Sequence, residues 1–310
     1  MKQSNEINRD YEVDLKEFFF VLWDSRSFII TFTAIAAVIS VIYSLSLTNT
    51  YKSGSLLNVV SESSQSFNSG GLGSIASLAG ISLPASGREE KGHLILAHIE
   101  SKAFLRSLIE SDSEVLPSLM AAKSYNSKTG SIDFDASKYD YKTKEWVRRV
   151  NPPTSQIPSV QEVYPRYRSI VSANQNPING YISISVEHIS PVFAKEFLML
   201  IINGINSLLQ EKDLQESSDA LNFLKSEMEK TRLVELRNSM NDLIEAQLKT
   251  QMMARISSEY VLQMIEPPLV PEAKNYPNRP MICILGTILG TIIAILVIVF
   301  RHYALLSENN

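Results

Sequence analysis

The sequence predicts an α+β membrane protein in which two transmembrane helices flank a large extracytoplasmic region that joins a small sheet to a long helical hairpin. Three observations predict it. Two uncharged apolar blocks lie near the ends of the chain, and each has the roughly 20 residues needed to cross a hydrocarbon core of ~30 Å as a helix. Between them, short runs alternate apolar and polar side chains with the period of a strand. Residues 205–266 contain neither Gly nor Pro, and their apolar residues recur at helical spacing.

The first block, residues 28–47, reads FIITFTAIAAVISVIYSLSL. A cleaved signal peptide has a basic start and a shorter apolar core. Here Asp10, Glu12, Asp14 and Glu17 precede the block, so a retained anchor is expected. The second block, residues 281–300, reads MICILGTILGTIIAILVIVF. It lacks any polar residue larger than Thr, which sets it apart from a buried core helix. Few positive charges lie near the candidate cytoplasmic ends of the two blocks: Lys16, Arg26 and Arg301. They lean towards both termini in the cytoplasm, because charge asymmetry is read on short flanks and not on a long central loop. Within the second block Gly286 and Gly290 form a GxxxG, with Thr287 and Thr291 alongside. Small residues at that spacing let helices approach closely, although such pairs also arise by chance, and both readings stand.

The middle region opens with a strand over residues 51–60. A Gly/Ser-rich loop follows over 61–87, without the Lys-Ser or Lys-Thr of a phosphate-cradling loop. That loop is either a flexible connection or, through its apolar part 72–83, an oligomer or membrane contact. Residues 88–111 read as one helix with Leu94, Ala97, His98, Leu105, Leu108 and Ile109 on or near one face. Residues 116–158 read as irregular, and 160–173 as a short helix interrupted at Pro165 or starting near it. After an Asn179-Gly180 turn, residues 181–188 alternate as a strand with Ile182, Ile184 and Val186 on one side.

Ser190-Pro191 is a helix start, with Ser as cap and Pro in the first turn, where its missing N–H costs nothing. A continuous helix from there to residue 258 would approach ~100 Å. The chain must return to the membrane, so a hairpin turning near 231–234 is expected. The other reading is a solvated helix within a compact domain. Leu221, Leu224 and Met228 belong to the apolar stripe and are expected to pack within the hairpin or between protomers. Residues 259–265 should return as a strand beside those at Tyr51 and Tyr181. Pro267, Pro268 and Pro271, then Pro277 and Pro280, make an extended, stiff connector before the second block. It is either a spacer or a rigid coupling segment.

Charge and chemistry exclude several classes. A net charge of −4 offers no concentrated basic face for a phosphate backbone, so no nucleic acid partner is expected. Cys283, the only cysteine, rules out an intrachain disulfide or a Cys-based zinc site. There is no GxxxxGK[ST], GxSxG or HExxH. His93 and His98 are five apart, which does not put them on one helical face. Glu89-Glu90 and Asp133/Asp135 read as solvated surface pairs. No catalytic residue, metal or cofactor is expected, and the chain is read as a non-enzyme.

The chain resembles the Wzz-type polysaccharide co-polymerases, the O-antigen chain-length regulators of lipopolysaccharide biosynthesis. The residues that carry the resemblance are 14–18 (DLKEF) with Leu22-Trp23, 72–80 (LGSIASLAG), 120–123 (MAAK), 146–149 (WVRR), Ile182–His188 with Ser190-Pro191, and Val270-Pro271-Glu272 with Pro277 and Pro280. The resemblance implies an α/β base in the periplasm, a long projecting helix, a homo-oligomeric ring, and control of how many repeats the O-antigen polymerase adds. It makes the polymerase, the growing lipid-linked polysaccharide and inner-membrane lipid the expected partners. About ten residues follow position 300, too few for the kinase domain of the capsule relatives. The implied organisation is a cytoplasmic segment 1–27, spans 28–47 and 281–300, a periplasmic base 48–189, a hairpin 190–258, a returning strand and connector 259–280, and a tail 301–310. A capsule or exopolysaccharide export adaptor, docking an outer-membrane channel, is the competing reading.

Overall fold

The structure, a computed structural model, describes residues 23–60, 87–230 and 234–308. The expectations for the segment before residue 23, the Gly/Ser-rich loop at 61–86 and the turn at 231–233 lie outside them. The fold is mixed, with helices α1 (Arg26–Ser46), α2 (Gly87–Ile99), α3 (Lys102–Ser111), α4 (Val115–Met120), α5 (Val160–Ile170), α6 (Pro191–Lys230), α7 (Val234–Ile256) and α8 (Arg279–Glu308). The strands are β1 (Tyr51–Val59), β2 (Ala122–Asn126), β3 (Ser131–Phe134), β4 (Tyr139–Asp140), β5 (Glu145–Trp146), β6 (Val171–Gln175), β7 (Ile182–His188) and β8 (Leu262–Glu266). Two compact units form: Met1–Asn49 with Asn275–Asn310, and Thr50–Lys274.

In the larger unit a four-stranded sheet has the order β6-β7-β1-β8, with antiparallel pairing throughout. Period-2 alternation puts Leu57 and Val59 of β1 and Ile182, Ile184 and Val186 of β7 on the buried face. The register Ser53↔Val186, Ser55↔Ile184 and Leu57↔Ile182 aligns these residues across the two strands. Phe193, Ala194, Phe197, Leu198, Ile201, Ile202 and Ile205 from the first four turns of α6 complete the core, together with Ile95, Ile99, Phe104, Leu105, Leu108, Val163 and Tyr167 from α2, α3 and α5. Helices on one face and solvent on the other is the usual arrangement of an antiparallel sheet. The Ser190 hydroxyl accepts from Phe193 N at 3.2 Å and starts α6.

The helix expected over 88–111 is two helices. Ser101 caps α3 by accepting from Phe104 N at 3.1 Å. The carbonyls freed at the end of α2 accept phenols from α5: Tyr167 Oη donates to Ile99 O at 2.7 Å and Tyr164 Oη to Glu100 O at 2.8 Å. The break rotates the buried face of α2 onto Ile95 and Ile99, leaving Leu94 half exposed and Ala97 exposed. The stretch 116–158 is not irregular. It holds most of α4 and two antiparallel ribbons, β2–β3 and β4–β5, the first closed by Gly130 at φ +69°, a conformation that favours glycine. Helix α5 starts at its Ser159 cap and runs through Pro165, and residues 171–175 leave it as strand β6. That fourth strand had no sequence signal stronger than Val171 and Ala173.

In the smaller unit α1 and α8 pack side by side and show apolar side chains on every other face, the pattern of a helix surrounded by apolar solvent. Among the described residues three helices, not two, are long and apolar enough to cross a membrane: Arg26–Ser46, Arg279–Arg301 and Pro191–Lys230. The third is α6. Its apolar half is the part that fills the core of the larger unit, with Ile201, Ile202 and Ile205 fully buried.

Candidate functional site

Gly286 and Gly290 sit where α8 meets α1. A Cβ added at Gly286 would come within 2.7 Å of Ser40 Cβ, and one added at Gly290 would overlap the Ala36 methyl. Only a hydrogen on Cα allows the two backbones this separation. The close approach brings polar groups into register: Ser40 Oγ donates to Ile282 O at 3.0 Å, and Thr33 and Thr291 hydroxyls lie 3.4 Å apart. Thr287 and Thr291 also donate to carbonyls one turn back, Cys283 O at 2.7 Å and Thr287 O at 2.9 Å. Arg279 Nη2 donates to Asn49 Oδ1 at 3.2 Å at the end of the same pair.

The five prolines divide between the units. Pro267 and Pro271 are partly or fully exposed and Pro268 is buried; all three follow β8. Ser55 Oγ donates to Glu266 O at 2.6 Å and Ser53 Oγ to Leu269 O at 2.8 Å, so the start of the proline run is stitched to β1. Pro277 is buried in the smaller unit, and Pro280 occupies the first turn of α8, where its missing N–H goes unnoticed.

Helices α6 and α7 lie against each other. Gln210 Nε2 on α6 donates to Ala254 O and Ser257 O at the end of α7, and Tyr260 Oη donates to Asp213 Oδ2 at 2.7 Å. Early α6 therefore meets late α7, and the helices run antiparallel. Leu221 is buried, and Leu224 and Met228 are half-buried. The exposed apolar side chains are others: they include Phe223 on α6 and Val234, Leu243, Leu248, Met252, Met253 and Ile256 on α7, with Leu248, Met252 and Ile256 at 45%, 63% and 80% exposure. A spacing of four places Leu248, Met252 and Ile256 on one face. Leu248 and Met252 were legible as part of an apolar stripe, but which face α7 leaves open depends on how it packs.

A second constellation lies around the β4–β5 ribbon. Arg148 pins the segment after β5 to α5. Its Nη1 and Nη2 grip both carboxylate oxygens of Glu162, while Nη2 donates to Ser155 O at 2.7 Å and Nε to Gln156 O at 2.5 Å. This bidentate fork is the strong form of an ion pair. It holds the Glu162 carboxyl below the usual carboxylate range and the Arg148 guanidinium above its ordinary value. Two residues before Arg148, Trp146 leans on Tyr139 at a centroid distance of 5.1 Å.

His188, at the end of β7, is buried beside Ser118. Its Nε2 lies 3.0 Å from Ser118 O, and Ser190 N–H donates to Nδ1 at 3.2 Å. The ring is therefore neutral with its proton on Nε2, and burial pulls its pKa down to about 4. Asp133 accepts from Ser124 Oγ at 3.0 Å, and Asp135 from Ser137 N and Oγ at 3.0 and 2.7 Å. These carboxylates serve turns and ribbons. Among the described residues no three His, Cys, Asp or Glu side chains gather where they could hold a metal.

Residues 11–91 match the family model Wzz, chain length determinant protein. That segment contains the motifs at 14–18, 22–23 and 72–80, and the chain is similar to the Wzz-type polysaccharide co-polymerases. No curated protein matches the chain. A solved structure described as a full-length bacterial polysaccharide co-polymerase is similar at 10% identity and a TM-score of 0.40, over 94% of this chain and 98% of that chain.

Proposed function

We propose that the chain is a regulator of O-antigen chain length, held in the inner membrane of a Gram-negative bacterium by α1 and α8, with both termini cytoplasmic and Thr50–Lys274 in the periplasm. The observation that carries the reading is the chain-length determinant match over residues 11–91, which takes in the first apolar helix and the first strand of the base. Two spans fit better than three because α6 spends its apolar half on the protein core, leaving it unavailable to lipid. Fusions placed within 61–87 then read as periplasmic and those after Ser307 as cytoplasmic.

In this reading the α6–α7 pair is a projecting hairpin that packs against neighbouring copies in a ring. The open face Leu248, Met252 and Ile256 supplies apolar contact to a second copy, while Leu221, Leu224 and Met228 hold the hairpin together. Gly286 and Gly290 pack the spans, and the prolines from Pro267 to Pro280 couple the base to the second span. The protein acts without catalysis, by biasing how long the O-antigen polymerase and the lipid-linked polysaccharide stay together. Deletion leaves O-antigen present but removes its clustered modal length on a lipopolysaccharide gel. Loss of all surface polysaccharide with polymer retained inside the cell would instead establish an export adaptor.

A further inference from the structure

The ribbon β4–β5, the segment after it and the start of α5 enclose a groove of about 770 Å³, lined by Trp146, Lys138, Arg148, Arg149, Glu162 and Ser137 among others. We propose that this groove binds an acidic saccharide segment of the polysaccharide, an assignment that rests on the chain-length reading above. Three features converge on that ligand.

The first is an aromatic wall. Trp146 is half-buried, braced from behind by Tyr139, whose ring packs edge-on against Phe134 at 5.6 Å. An indole held rigid with part of its surface open matches the apolar C–H face of a pyranose while its rim stays near polar partners. The second is rigidity of the polar frame. The Arg148 fork fixes the segment after β5 on α5, and Val147 N donates to Lys138 O at 3.0 Å. Lys138, Trp146 and Arg149 are therefore held along one short stretch, and little ordering remains to be done on binding. The third is charge. Arg148 is neutralised by Glu162, whereas Lys138 and Arg149 are exposed and form no ion pair among the described residues. The nearby Asp135 carboxylate is engaged by Ser137. Two exposed cations beside an aromatic face, Lys138 within the field of the Asp135 carboxylate and Arg149 outside any ion pair among the described residues, suit a sugar carrying a carboxylate or phosphate. The volume falls in the range of roughly 300–1,000 Å³ usual for ligand sites.

The protein has two tryptophans, so Trp23→Phe leaves Trp146 as the sole indole reporter. The full chain in detergent micelles is titrated with a hexamer of galacturonate, with maltohexaose as the neutral sugar and hexaglutamate as a non-sugar polyanion. The expected result is a saturable change in Trp146 emission with the galacturonate hexamer. Lys138→Ala/Arg149→Ala weakens it roughly ten-fold, Arg149→Lys restores most of it, and added salt reduces it. Both altered side chains are exposed, so an unchanged thermal unfolding curve confirms that the fold is intact. No saturable response, an equal response to maltohexaose, an equal response to hexaglutamate, or an undiminished response in the double variant overturns the proposal. Cells separate its failure from that of the parent reading. If deletion removes the modal length but the double variant keeps it, the groove assignment fails alone. If deletion leaves the length distribution unchanged, the chain-length reading fails.

Discussion

The Asn206 side chain on α6 clasps the backbone of Leu262 on β8. Its Nδ2 donates to Leu262 O at 3.1 Å, and its Oδ1 accepts from Leu262 N and Val261 N, both at 2.9 Å. One buried amide satisfies three main-chain groups of the returning strand, and Val261 O in turn accepts from Val60 N at 2.9 Å. The long helix is thereby fastened to the edge of the sheet.

Asn206→Ala removes all three partners at once and leaves buried donors and an acceptor unpaired. The expected loss is about 2–4 kcal/mol of stability. Thermal unfolding of the solubilised chain measures it, and faster amide exchange at Val261 and Leu262 locates it. An unchanged melting temperature would mean that the strand holds its place without the clasp.

Gly286→Leu with Gly290→Leu drives side chains into Ser40 and Ala36 and forces α1 and α8 apart. Helices in lipid associate through close packing, so the expected outcome is disturbed length control with the protein still in the membrane. Gly290→Ala alone, which adds only the methyl that overlaps Ala36, should be intermediate. A normal length distribution in the double variant would leave the motif without a role.

Leu248→Glu, Met252→Glu and Ile256→Glu together change side chains that a single copy leaves open. The expected result is a smaller assembly by light scattering in mild detergent, with unaltered helix content. Leu221→Glu buries a charge within one chain and should lose helix content as well. If the triple variant keeps its size, the face of α7 is not the contact between copies.

Stability should fall as pH drops from 6.5 towards 4. His188 has a folded-state pKa of about 4 against an ordinary value of 6.5, so within that window the unfolded chain takes up a proton that the folded one refuses. The slope is about 1.4 kcal/mol per pH unit and the total about 3 kcal/mol. Below the lower value the loss is complete, and above 6.5 His188 contributes no slope. Protonated Nδ1 would point a second donor at Ser190 N–H, and the Arg166 charge adds to the penalty. His188→Gln should flatten the profile. Glu162, whose folded pKa is lowered by Arg148, adds a separate loss that begins near 4.5 and extends below it.

The clearest elements to read from residues alone were those whose periodicity needs no partner. Residues 181–188 alternate so regularly that the buried set Ile182, Ile184 and Val186 was evident, and Ser190-Pro191 announced α6. The segment 116–158 was opaque because its ribbons are two to five residues per strand, too short for alternation to register. The split between α2 and α3 depends on Tyr164 and Tyr167, 64 and 68 residues from the carbonyls they reach, which no local pattern encodes. The groove at Trp146 was invisible for the same reason: Arg148 acts through Glu162, on a helix 14 residues further on.

Strand β1 leaves the first apolar helix and ends in the middle of the sheet, yet neither of its neighbours exists when it is made. The β7 edge arrives with residues 182–188, and the β8 edge later still; Ser55 and its acceptor Glu266 are 211 residues apart. Closing so long a loop carries an entropic cost that grows only slowly with length, but closure is slow because distant pairings come last. During synthesis β1 therefore offers two unpaired edges, each a template for pairing with the wrong chain. Pairing with β7 and β8 closes both edges, and the Asn206 clasp on Val261 and Leu262 fastens the strand that arrives last.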